Sequence, residues 1–260
     1  ICKNARKRGV TMDYVLFGQM DDPNIAALRP HFDLFLDQAG DYTWDINKNT
    51  LVYNGARVKM RGFFGRANVF TKNTHQRFNN WHLMANYVDA NSHVSRYNRR
   101  YNHGTPIKAS NLRRALAAGL EIPRTIIGKG PLDGDCIIKP LTGGAHCMAG
   151  NQTSWTGIIQ NRILGVNRRL FLVGDQHFGF KLETKALDYR DDPHVVVTEE
   201  VFAQDIVYKV RAVAHGLGLT FCAADFMDDV FLEINSGPMF AAFDRVVNGA
   251  LAKAIRSELA

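Results

Sequence analysis

The sequence predicts a small α/β domain followed by a larger α+β unit, and three observations carry that prediction. One is a clear hairpin at 51–60 (LVYNGARVKM), where Asn54-Gly55 supplies the two left-handed residues of a type I′ turn. Another is the strand-rich run after Arg124, with RTIIG, DCIIKP, TGIIQNRIL, RLFLVGD, HFGFKLET and HVVVT in succession, too many strands for a simple doubly wound sheet. The last is a late pair of short apolar strands, 221–226 and 230–234, joined by Met227-Asp228-Asp229.

Taken in order, strands are expected at 12–18 and 32–37, ahead of the hairpin. Phe78, Trp81, Met84, Tyr87 and Val88 recur at helical spacing, so 76–90 reads as an amphipathic helix with that stripe toward the core. Polar residues at 91–105 follow, which places the division between a 1–95 domain and a 96–260 domain. A second helix, 108–118, stops at Gly119 with Pro123 beyond it. Further helices are expected at 200–215 and 241–257, and no internal repeat is visible.

At 260 residues and 46% hydrophobic content, the chain can bury a sizeable core. No stretch approaches the roughly 18 apolar residues of a membrane span. Residues 1–10 are basic without a following apolar run, so no secretory signal is expected and a cytoplasmic setting is the default. The four cysteines, Cys2, Cys136, Cys147 and Cys222, form no CxxC pair and read as structural thiols. A net charge of +7 favours anionic partners. In SRYNRRY (95–101) basic and aromatic residues interleave as in single-strand nucleic-acid grooves, although a solvated linker explains the same pattern.

The chemistry concentrates in DFMDDVFLEIN. Side chains in a strand alternate, so Glu233 and Asn235 share a face, and Asp225 lies near the end of the neighbouring strand. Two carboxylates and a carboxamide suit Mg²⁺, which takes hard oxygen ligands and shares them with substrate phosphates; a solvated acidic hairpin is the plain alternative. Upstream, Lys139 ends an apolar run just before Gly143 and Gly144, where an ammonium and a glycine loop are placed to receive phosphate. His146 stands beside that loop, Gln160 sits in a later strand, Arg169 leads another, and Lys181 is a second basic position.

In this order the segments from Asn98 to the C-terminus resemble the ATP-grasp superfamily. The likeness is to the branch that holds ribosomal-protein glutamate ligases, glutathione synthetases and graspetide macrocyclases. IKASNLRRALAAGLEIPRT resembles the family's lysine-led helix, IIQNRIL its hinge strand, RRLFLVGD its Arg-led strand and LEIN its magnesium strand. The resemblance implies two α+β lobes holding ATP between them, the smaller at about 124–164, preceded by an α/β pre-ATP-grasp domain. It implies ATP and Mg²⁺ as cofactors, with Lys108, Lys139, Gly143, Gly144, Gln160 and Asn161 toward ATP, and Asp225, Glu233 and Asn235 toward the metal. Arg169 and Arg190 are then the catalytic arginines, Arg190 lying with Asp188 in LDYRDD, which resembles an Asp-aromatic-Arg element of graspetide ligases. Asn161 stands where relatives often have Glu, and NSGPMF departs from the graspetide pattern.

The implied reaction joins a carboxylate substrate, an amino acid or a peptide, to an amine or hydroxyl acceptor through an acylphosphate. Neither a membrane nor nucleic acid is expected as partner, and a homo-oligomer is allowed. Two other readings use the same features. A kinase would pass phosphate to a polyol, and a non-catalytic nucleotide- or RNA-binding module would exploit SRYNRRY and the net charge.

Overall fold

The computed structural model describes residues 12–67, 74–98, 108–141, 147–187 and 189–260. The chain divides into two compact units, Ile1–Tyr97 with Leu259–Ala260, and Asn98–Glu258.

The first unit contains β1 (Asp13–Gly18), α1 (Pro23–Leu28), a 3-10 turn at Arg29–His31 and β2 (Leu34–Asp37). It continues through β3 (Tyr42–Asp45), β4 (Thr50–Tyr53), β5 (Ala56–Val58), β6 (Met60–Gly65), α2 (His75–Ala90) and β7 (Ser95–Arg96). A parallel sheet runs in the order β2-β1-β6-β7, and a separate antiparallel sheet in the order β3-β4-β5. The expected hairpin is β4–β5, with Asn54 at φ 46° and Gly55 at φ 79° in the left-handed region that a type I′ turn requires. Both α1 and β3 escape the sequence reading, because each is too short to show periodicity.

Val15, Phe17, Leu36, Met60, Met84 and Val88 form the core of this unit, so Met84, Tyr87 and Val88 of the expected stripe are buried. Phe78 is not, at 54% exposure. The second turn of α2 buries Asn80 instead, whose amide donates to the carbonyls of Gln38 and Gly40, both at 2.9 Å. Loop carbonyls that leave water need donors, and a phenyl ring has none.

The second unit contains α3 (Lys108–Ala117), β8 (Thr125–Gly128), β9 (Cys136–Lys139), β10 (Met148–Ala149), β11 (Gly157–Asn161), β12 (Asn167–Val173) and β13 (Gln176–Glu183). After a 3-10 turn at Tyr189–Asp191 come β14 (Val196–Glu199), α4 (Gln204–Leu217), β15 (Phe221–Met227), β16 (Val230–Asn235), α5 (Ala241–Val246) and α6 (Ala250–Glu258). Two antiparallel sheets result, β10-β9-β11-β8 and β14-β13-β12-β15-β16. One face of the larger sheet packs under α3 and α4 through Leu112, Leu170, Val210, Cys222, Phe226, Phe231 and Ile234. On its opposite face Phe171, Phe180 and Phe243 meet edge to face or tilted, with centroids 5.1–5.7 Å apart.

Two helices differ from expectation. The helix after β14 starts at Gln204, because Glu200 accepts a hydrogen bond from Arg168 Nε (3.0 Å) and Phe202 lies under the same guanidinium, holding 200–203 extended. It runs on to Leu217 and ends in left-handed Gly218. The closing helix is broken into α5 and α6 at Asn248 and Gly249, with φ of 52° and 79°.

Asn98, inside SRYNRRY, is neither linker nor groove. It is buried at φ 48°, and its carboxamide makes four hydrogen bonds to the main chain around β15 and β16. Nδ2 donates to the carbonyls of Phe221 (2.6 Å) and Ser236 (2.7 Å), and Oδ1 accepts from the N–H groups of Thr220 (2.8 Å) and Phe221 (3.0 Å).

Candidate active site

The register of β15 and β16 builds the acidic centre. Ala223 pairs with Asn235 and Asp225 with Glu233, after which the register slips so that Phe226 pairs with Phe231. Leu232 is therefore an extra residue, a β-bulge. Strict alternation would put Phe231 on the face of Glu233 and Asn235. The bulge lets Phe231 and Ile234 both enter the helix-covered core while Asp225, Glu233 and Asn235 share the other face.

On that face Asn235 Nδ2 donates to Asp225 Oδ2 (3.1 Å) and to Glu233 Oε1 (3.3 Å), so the two carboxylates flank one electropositive group. Arg169, 5% exposed on β12 opposite Asp225, grips that carboxylate with Nε (2.5 Å) and Nη2 (2.8 Å). Lys108, at the start of α3, reaches Glu233 Oε2 at 3.1 Å. Burial lowers the Lys139 pKa, against the pull of Glu233 and with the help of Lys108. Burial works against the Glu233 carboxylate too, but Lys139 and Lys108 outweigh it and hold its pKa at about 2. Burial raises Asp225 despite Arg169, so Asp225 keeps its charge less firmly than Glu233. Arg169 is pushed above its ordinary value, because Asp225 overcomes the effect of burial. Three cations thus surround two carboxylates, a net positive centre suited to a polyanion.

The smaller sheet presents a second face to this chemistry. Thr125, Lys139 and Gln160 fall on one side by alternation and pairing (Gln160 with Thr125, Ile158 with Lys139), opposite the core of Cys136, Ile138 and Ile159. Gln160 is 1% exposed; Nε2 donates to the Thr125 hydroxyl at 3.0 Å, while Oε1 is buried with no donor among the described residues. Such an acceptor normally has a partner.

Three expectations need correction. Asn161 turns to the opposite face, where Nδ2 donates to the carbonyl of Asp133 (2.8 Å) and approaches Cys136 Sγ (3.4 Å), so its carboxamide is committed away from Gln160. Lys181 pairs with Arg168 across the strands, on the face away from Arg169, and bridges Glu183 at 2.8 Å. The guanidinium fork of Arg169, expected as a catalytic arginine, is occupied by Asp225. The turn acids Asp228 and Asp229 are separate from the trio: Asp228 Oδ1 accepts from Val166 N–H (2.9 Å), and Asp229 is paired with Arg168. Gly143, Gly144, His146 and Asp188 lie outside the described residues.

Arg190 is exposed, in a loop that the sequence reading did not recognise as built. Asp192 staples its neck, accepting from the Thr184 hydroxyl (2.8 Å) and from the N–H groups of Lys185 (3.1 Å) and His194 (2.9 Å). Tyr189, beside Arg190, places its ring 5.2 Å from the Arg169 guanidinium. That cation–π contact carries the loop to the metal-type carboxylate, and only the Tyr-Arg adjacency in LDYRDD hinted at it.

Among the described residues no cluster of three or more His, Cys, Asp or Glu side chains can hold a metal. The donor set is two carboxylates and a carboxamide, which fits Mg²⁺ shared with phosphate rather than a protein-only cage. Also among the described residues, no helix is long and apolar enough to cross a membrane.

Two lobes with sheets of this topology, and a lysine-flanked acidic face on the larger one, define a class: the chain has the ATP-grasp fold, and ATP-grasp ligases are among the solved structures that share it. In particular it is similar to the ATP-grasp ligase PsnB complexed with a phosphomimetic variant of its minimal precursor, Mg and ADP, at 18% identity and TM-score 0.75. That likeness covers 96% of this chain and 100% of PsnB. The macrocyclase MdnC from Microcystis aeruginosa, bound with precursor peptide MdnA, matches at 15% identity and TM-score 0.67, covering 94% of this chain and 98% of MdnC. VanG D-Ala:D-Ser ligase from Enterococcus faecalis matches at 12% and 0.63, over 96% and 98% of the two chains. No family model and no curated protein matches the sequence. The likeness read from residues Asn98 onward thus extends, as fold, to nearly the whole chain.

Proposed function

We propose that the protein is an ATP-dependent ligase that joins a carboxylate, carried by a peptide, to an amine or hydroxyl through an acylphosphate. The observation that carries this reading is the gathering of Asp225, Glu233 and Asn235 on one face with Lys108, Lys139 and Arg169 around them. Asp225, Glu233 and Asn235 would hold Mg²⁺, which supplies charge neutralisation at the phosphate oxygens. Lys139 and Lys108 are free to exchange Glu233 for phosphate once a cation sits beside that carboxylate. Arg169 holds Asp225 in place. The orphaned Gln160 Oε1 needs a donor of the kind an adenine amino group offers. Arg190 is exposed next to Tyr189, whose ring faces Arg169, and its planar fork suits a carboxylate bidentately.

In the proposed reaction a carboxylate oxygen attacks the γ-phosphorus, the bond to ADP breaks, and ADP leaves. The nucleophile then attacks the acyl carbon, gives up a proton, and displaces phosphate. The protein's task is positioning and neutralisation. PsnB and MdnC were solved with precursor peptides, which supports a peptide as the carboxylate donor here.

The test is incubation with Mg-ATP and peptides rich in Glu and Asp, following nucleotide, phosphate and product mass. Ligation gives ADP, free phosphate and a product lighter by one water. A product heavier by a phosphoryl group would establish the kinase instead. No turnover, with RNA affinity falling steeply with salt, would establish a binding module.

A further inference from the structure

A cavity of about 280 Å³ opens in the first unit, beside the amino ends of β1 and β6. Its floor is Val58, Met60 and Tyr87, all buried. Its rim carries Arg57, Lys59 and His93, and among the described residues no carboxylate lines it. Among the described residues neither Arg57 nor Lys59 has an acidic partner, and the Arg57 guanidinium acts on the Tyr87 phenol. Two unpaired cations and a histidine around an apolar floor are complementary to a ligand with negative charges flanking an apolar group.

The backbone beside the cavity narrows the class of ligand. Among the described residues β5 is the outer strand of its sheet and pairs only with β4. In a two-residue hairpin the pair flanking the turn, Tyr53 and Ala56, exchanges its main-chain hydrogen bonds inward, so the next pair, Val52 and Arg57, points outward. Arg57 therefore offers an N–H and a C=O at a free sheet edge, with its own charge and that of Lys59 two residues on, along the same side. An extended chain can add there as a strand. Among the described lining residues there is no glycine loop for phosphate, and the Tyr87 ring is buried in the floor, where no base can stack on it.

We propose that this edge and cavity dock an extended acidic peptide, with one bulky apolar side chain in the hole and flanking carboxylates on Arg57, Lys59 and His93. The site needs no ATP and stands independently of the ligase reading.

The experiment is fluorescence anisotropy on the full chain, using a labelled peptide of glutamates around one phenylalanine. Arg57→Glu with Lys59→Glu should weaken binding at least tenfold, about 1.4 kcal/mol. Replacing the peptide's phenylalanine by alanine should weaken it similarly, and Mg-ATP affinity should not change in the variant. Should the charge reversal perturb folding by circular dichroism, Arg57→Gln with Lys59→Gln serves, with a smaller loss of the same sign. Unchanged binding in both double variants overturns the proposal. So does equal binding of the alanine peptide, which would reveal mere charge attraction, and so does full displacement by inorganic triphosphate, which would reveal a simple anion site.

Discussion

Replacing Asn98 by alanine should be among the most destabilising single changes in this protein. The carboxamide makes four hydrogen bonds at 2.6–3.0 Å to the main chain of Thr220, Phe221 and Ser236. At a net value of about 1 kcal/mol each they contribute about 4 kcal/mol, and buried groups left without partners add to the loss. Alanine must also adopt the left-handed backbone of Asn98, at about 1 kcal/mol. The expected total is roughly 4–5 kcal/mol. Asn98→Gly removes the carboxamide without that steric penalty, so agreement between the two variants within about 1 kcal/mol would assign the loss to the hydrogen bonds. Urea unfolding followed by circular dichroism reads it as a shift in midpoint at unchanged slope. A loss below about 1.5 kcal/mol in both variants would refute the reasoning, because four buried main-chain groups must then have found water or other partners.

Glu233→Ala or Asn235→Ala should lower turnover by about 10² or more, roughly 3 kcal/mol of barrier, and steady-state phosphate release checks it. Lys139→Ala should weaken Mg-ATP binding strongly in a nucleotide titration, since its ammonium faces Glu233 and Asp225 from the smaller sheet. Arg190→Lys should raise the KM of the acid substrate while ATP affinity holds; collapse of ATP binding would move Arg190 to the phosphate site. The Asp192 carboxyl is held below its ordinary value by the Thr184 hydroxyl and the N–H groups of His194 and Lys185. A depressed folded pKa means that the staple stabilises above the unfolded value, about 3.8, and is lost as pH falls through the folded value. Limited proteolysis between Thr184 and His194 should accelerate in that acid range, and Asp192→Ala should show the same rate at neutral pH.

What the sequence disclosed depended on whether a signal was periodic or accidental to the chain. Glu233 and Asn235 share a face by the period of a strand, and Asn54-Gly55 announces its turn by left-handed preference, so both were legible. Leu232 was not, since a bulge is decided by competition between two strands and by the core that Phe231 and Ile234 must reach. Asn98 lay in a polar, basic stretch that resembles any linker, and only its distant partners on β15 and β16 distinguish it. Asn161 came from the resemblance of IIQNRIL to a hinge strand, which says nothing of its face, and alternation turns its carboxamide away from Gln160.

The bulge at Leu232 makes assembly of the acidic face a by-product of folding correctly. A one-residue slip of β16 would expel two side chains that are 0% exposed, Phe231 and Ile234, costing about 2 kcal/mol each, while driving Glu233 and Asn235 beneath the helices. A molecule with a misaligned site would therefore be unstable rather than merely inactive, and quality control that detects exposed apolar surface would detect it. For an engineer the same coupling is a restriction: Leu232 can be exchanged, but deleting it should remove the core and the chemistry together.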